Sequence, residues 1–190
     1  MIGDPHLRRL VDDATQATTD AAALADNLTE SQLDWSPAPG SWSIAQCLEH
    51  VAIVTTRFAD QLGPIVGHAR RRIHRDATRD AARDAQDATY RPRWWGRRFL
   101  ARTTTPAAWR PTERPLPGAL TRATDALRRI TALAVASDGI DLNHVTIAAP
   151  QDAGWLRPTV GDALTTAVAH ARRHIDQARH VRQHPAFPAD

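Results

Sequence analysis

Ser43-Ile44-Ala45-Gln46-Cys47-Leu48-Glu49-His50-Val51 reads as the opening of a helix, and that reading decides the fold class. Ser43 and Gln46 form a capping box: the hydroxyl satisfies a free N–H of the first turn, and the Gln side chain reaches back to the cap. Behind it Ile44, Cys47, Leu48, Val51, Val54, Phe58 and Leu62 recur at helical spacing as one apolar stripe. At about 100° per residue His50 falls roughly 40° outside Val54, on the stripe's edge, so its ring can turn inward. Gly63-Pro64 should kink or end this helix, because proline removes a hydrogen bond and crowds the preceding turn.

The same rhythm recurs on either side. Asp4-Pro5 caps a first helix that the spacing of Leu7, Leu10, Val11, Ala14, Thr18, Ala21, Ala25 and Leu28 carries over residues 5–28. Thr29 to Gln32 is a second capping signature, for a short helical turn leading to Trp35 before Pro37, Pro39 and Gly40 break the chain. A third long helix is expected from Gly118 to Ala136, ending near Asp138-Gly139. Thr159-Val160-Gly161-Asp162 then opens a fourth, carried to about Gln183 by Leu164, Ala167, Ala171, Ile175, Ala178 and Val181. Four amphipathic helices pack most simply as a four-helix bundle, so the expected class is all-α, with residues 1–190 as a single domain.

Composition agrees with that class. A chain of 190 residues, 42% of them hydrophobic, can bury a real core, and few aromatics or β-branched runs of period two point to sheets. The lone cysteine, Cys47, rules out an internal disulfide framework and any cysteine-cluster metal site. No basic start is followed by an apolar stretch, and no run approaches the roughly 20 apolar residues of a membrane helix. A cytoplasmic protein is therefore expected.

The basic side chains are all arginine, and they are concentrated: residues 70–102 hold eleven Arg against four Asp, although the whole chain carries only +3. Arg75-Asp76, Arg79-Asp80 and Arg83-Asp84 repeat every four residues, which favours helix through side-chain pairs but leaves no apolar face. Residues 89–117, with five prolines, continue as a long irregular Arg/Pro-rich connection that holds one short helix near Trp94 to Arg102. Arg91 to Arg102 mixes cations with Trp94, Trp95 and Phe99, a blend that suits single-stranded nucleic acid or an anionic membrane surface. The Asp row dilutes that field, so a solvated linker is the preferred reading, with neither nucleic acid nor membrane as partner.

Chemistry is carried by histidine. His170 and His174 lie four apart, hence on one helix face, and His50 from a facing helix can complete a three-nitrogen metal site with one position open. Nine histidines yield about 0.4 such pairs by chance, and a second pair, His180 and His184, is also present. That second pair adjoins a Pro-rich C-terminus and reads as exposed helix-end residues suited to the helix dipole. Gln177, one turn beyond His174, is the expected partner that fixes a ligand's tautomer. Glu49 points about 100° away from His50 and reads as a surface carboxylate, as does Asp176. Cys47 reads as a small buried apolar residue rather than a fourth ligand. Trp35, Trp42 and Trp155 read as packing residues.

Taken together, Leu33-Asp34-Trp35 through Trp42-Ser43-Ile44 to His50, and Thr159 through His170 and His174 to Gln177, resemble the DinB-like (YfiT-like) metalloenzyme superfamily. The likeness covers residues 5–65 and 118–188, and the stretch of about 70–117 corresponds to a variable insertion. The resemblance implies a four-helix bundle holding a divalent metal, commonly zinc or nickel, on His50, His170 and His174. Some relatives are thiol transferases or isomerases that use a low-molecular-weight thiol. The function expected is thus metal-dependent transferase or detoxification chemistry on a small-molecule substrate, in a homodimer. A non-catalytic metal-binding or interaction bundle, or a metal-dependent hydrolase, is the alternative.

Overall fold

The computed structural model describes residues 2–77, 90, 105, 107–115, 117–147 and 158–189, and over these the chain is all-α. The elements are α1 (Pro5–Ala25), α2 (Glu30–Asp34), α3 (Ile44–Ala77), a single 3₁₀ turn (Ala107–Trp109), α4 (Ala119–Ala136) and α5 (Val160–Arg182). No strand occurs among the described residues; Thr146 and Thr159 share one antiparallel bridge. The short helix expected near Trp94 to Arg102 and the Arg79 and Arg83 repeats lie outside the described residues.

The caps form as their chemistry dictates. Asp4 accepts from the N–H groups of His6 and Leu7 ahead of Pro5, and Thr29 with Gln32 makes a reciprocal box. Ser43 and Gln46 exchange backbone-to-side-chain bonds of 3.0 and 3.1 Å, and Thr159 and Asp162 do the same at the start of α5. Asp162 carries a second duty, because its other oxygen accepts from the Tyr90 hydroxyl at 2.8 Å. Gly161 makes room for that ring: a Cβ there would stand 2.4 Å from two Tyr90 carbons.

Two expectations about helix ends are corrected. The first helix stops at Ala25 rather than near residue 28, because Asn27 takes a left-handed φ of 59° that turns the chain toward the Thr29 cap. The helix that begins at Ile44 does not end at Gly63-Pro64 but continues past it to Ala77. Tertiary contacts outweigh the lost hydrogen bond. Beyond the proline Val66 is buried, with Ile65 and Ala69 packed beside it, and Arg70 donates to the Ala136 carbonyl at the end of α4.

Helix α1 packs on α4 and α5, and α3 packs on the same two, so α1 lies opposite α3 and α4 opposite α5. The interior has two parts. One, around Leu7, Leu62, Ile130 and Leu164, is closed by Tyr90, Ile140, Leu142 and Ile147. The other contains Ile44, Leu48, Val51, Leu127 and Ile175, with Ala17, Ala21, Ala123, Ala171 and Ala178 letting the helices approach closely. This second part supports the histidines.

Candidate metal centre

Helix α3 delivers His50 and α5 delivers His170 and His174, with one ring nitrogen from each lying within 4.8 Å of the others. His50 is 1% exposed, on a helix whose Leu48 and Val51 are buried in the core. His174 is 9% exposed and faces an opening. The rings meet at centroid distances of 4.5 to 4.9 Å, and the tilted Trp42 ring packs beside them with its centroid 4.8 Å from that of His50 and 5.5 Å from that of His174.

Hydrogen bonds assign the protons. His50 Nδ1 stands 2.6 Å from the Trp109 carbonyl, and since a carbonyl only accepts, that nitrogen carries the proton and Nε2 keeps its lone pair. Gln177 Oε1 is 2.9 Å from His174 Nδ1 and does the same for that ring. His170 Nδ1 is buried and has no hydrogen-bond partner among the described residues, while its Nε2 lies 3.2 Å from His50 Nε2. Burial, helped by the neighbouring His174 and His50 rings, holds His170 down at about 3. Burial and the His50 ring hold His174 at about 4, against the opposing bond from Gln177. Burial also lowers His50, opposed by the Trp109 carbonyl. All three rings are thus neutral near pH 7, the form that binds metal.

The donors fit a cation. A tetrahedral ion bonded at about 2.0–2.1 Å sets its ligand nitrogens about 3.3 Å apart, close to the 3.2 Å between the His50 and His170 Nε2 atoms, and all three nitrogens lie within 4.8 Å of one another. Neutral nitrogen donors in this number suit zinc or another borderline divalent metal.

Beside the rings lies a cleft of about 560 Å³, within the size range of small-molecule sites. His174, Gln177 and Trp42 line it, with Pro37, Thr105 and Val181 among the other walls. His180 and His184 are exposed, as read from the sequence, and they also face this cleft. They do not join the three-ring cluster.

A model of the DinB superfamily matches residues 13–178. This chain belongs to that superfamily. No curated protein and no solved structure matches it. For a DinB-like protein, the three-histidine group is a place where a metal ion can be held.

Among the other candidates, Gln177 and Asp176 stand where their helix positions put them. Gln177 touches His174, and Asp176 is turned outward to pair with Arg179. Cys47 is fully buried in the core, and burial pushes its thiol up to about 12, so it stays a protonated apolar group. Trp35 packs against His184 and Phe187, whereas Trp42 does more than pack, since it forms a wall of the cleft. Trp155 lies outside the described residues.

Glu49 corrects the sequence reading: it is 4% exposed, not a surface carboxylate. One of its oxygens accepts from the backbone N–H and the hydroxyl of Thr112 at 2.6 and 2.8 Å, and the other lies 3.7 Å from the Arg122 guanidinium. The segment bearing Trp109 and Thr112 covers it. Nothing in the sequence marks Trp109 as a partner of His50, because the contact uses a backbone carbonyl that every residue possesses.

Proposed function

We propose that this protein is a divalent-metal-dependent enzyme acting on a small molecule at the site of His50, His170 and His174, with thiol-dependent transfer or detoxification as its chemistry. The observation that carries the reading is the convergence of three neutral imidazole nitrogens, with one of the three rings, that of His174, lining an open cleft. A structural metal site would need its fourth side closed by a protein ligand, and the described cluster supplies three. The helix packing supports the finer reading of the fold as a four-helix bundle, one domain with an Arg/Pro-rich insertion over about 70–117.

The roles divide as follows. His50, His170 and His174 hold the ion, zinc or nickel, with Gln177 and the Trp109 carbonyl fixing two of the rings. When bound, the ion supplies a positive charge that neutral ligands leave uncompensated, easing proton loss from a water or thiol in the open position. Trp42 offers an apolar face to the substrate and shields one side of the rings from water. Cys47, the one cysteine of the chain, is buried and protonated, so it supplies no thiolate nucleophile here. A thiol co-substrate fills that gap.

The test is a cobalt-substituted protein titrated with small thiols. The visible spectrum is expected to shift toward sulfur ligation with at least one of them and to remain unchanged in His174→Ala. A spectrum indifferent to every thiol would remove the thiol-dependent reading.

A further inference from the structure

One face of α3 serves a single purpose beyond the core. Gln46, His50 and Arg57 fall within about 40° of one another around the helix axis, with Glu49 on the flank of that face. All four hold the segment 107–113. Gln46 Nε2 donates to the Thr112 carbonyl at 3.1 Å and lies 3.4 Å from that of Glu113. Glu49 receives both the N–H and the hydroxyl of Thr112. Arg57 donates to the Ala108 carbonyl at 3.0 Å and sets its guanidinium carbon 5.9 Å from the centre of the Trp109 ring. Between these anchors the Trp109 carbonyl meets His50 Nδ1 at 2.6 Å.

We propose that Glu49 and Arg57 are positioning residues for His50: by anchoring the segment 107–113 on both sides of Trp109 they hold the Trp109 carbonyl in place, and that carbonyl keeps the His50 proton on Nδ1. Nε2 is then left with its lone pair directed at the neighbouring rings. A carboxylate taken this far out of water needs partners that reward it. The Thr112 N–H and hydroxyl reward Glu49 only while the segment stays docked. Buried Glu49 and exposed Arg57 thus hold the segment on either side of Trp109, at Thr112 and at Ala108. The inference rests on the metal reading only for its consequence in affinity; the tautomer itself is a property of the protein without metal.

The experiment compares wild type, Glu49→Ala, Glu49→Gln and Arg57→Ala in two readouts: imidazole nitrogen NMR shifts of the metal-free protein, and zinc affinity by competition with a chromophoric chelator. Glu49→Ala is expected to replace the single His50 tautomer by a mixture and to weaken zinc binding about 10- to 100-fold, the usual loss when a ligand's own support is removed. Glu49→Gln, whose amide oxygen still accepts from Thr112, should restore the tautomer and most of the affinity. Arg57→Ala should move both readouts the same way by a smaller factor. An unchanged His50 tautomer in both alanine variants overturns the proposal, even if affinity falls. Should Glu49→Ala fail to fold, exposed Arg57 decides alone by the same criterion. Should wild type take up no zinc, the metal reading fails while the tautomer shifts still judge the positioning claim.

Discussion

His50 owes its ligand-ready state to a backbone atom 59 residues downstream, and His174 owes its own to a side chain one turn away. The two arrangements differ in how they were legible. Gln177 follows from helix geometry, since i and i+3 share a face. Trp109 does not, because its contribution is a carbonyl placed by the fold. Glu49 was misread for a related reason: its angle places it off the apolar stripe, but what covers it is the segment 107–113, not the core. Removing His50 or His174 as alanine is expected to abolish metal binding, while His180→Ala and His184→Ala should retain it; metal analysis after dialysis separates the two sets. The rings also set a pH dependence. Folded pKa values of about 3 for His170 and about 4 for His174 lie below the ordinary 6.5, so the unfolded chain binds more protons between those limits. Their contribution to the stability of the metal-free protein is complete above about pH 6.5 and is lost as pH falls toward 4. Denaturant midpoints measured from pH 7.5 to 4.5 should decline, and the decline should be shallower in His170→Leu.

At the scale of the element, capping chemistry made most of the helix starts readable: Asp4, Thr29, Ser43 and Thr159 all cap where their spacing says they should. Ends were less legible, since they depend on what a helix packs against. Gly63-Pro64 signals a stop, yet α3 continues because Val66 and Arg70 find partners on the far side. Two glycines in long helices give opposite predictions. A Cβ at Gly67 meets the far end of the flexible Arg71 side chain at 3.4 Å, so Gly67→Ala should stabilise the protein by about 0.8–1 kcal/mol through helix propensity. A Cβ at Gly161 would press on the Tyr90 ring and come within 2.9 Å of the Leu142 carbonyl. Gly161→Ala should therefore destabilise by about 1–3 kcal/mol, as overpacking does. Urea unfolding of both variants checks the signs.

For the molecule as a whole, hydrophobic period and length were enough to give the all-α class, and no described helix is long and apolar enough to cross a membrane. The pairing of helices was not readable, because alanine-rich stripes look alike and only their packing distinguishes α4 from α5 as a neighbour. The core beneath the histidines sets their spacing: Leu127 is fully buried there, and Leu127→Ala should cost about 2–5 kcal/mol. That loss should lower the thermal midpoint in calorimetry. The most direct measurement is metal quantification on freshly purified protein combined with X-ray absorption at the edge of the metal found. About one divalent ion per chain is expected, bound by three imidazoles and a further ligand that an added small molecule can replace. A metal-free protein that gains no ion on exposure to zinc or nickel, or an ion still held after His50, His170 and His174 are all removed, would contradict this expectation.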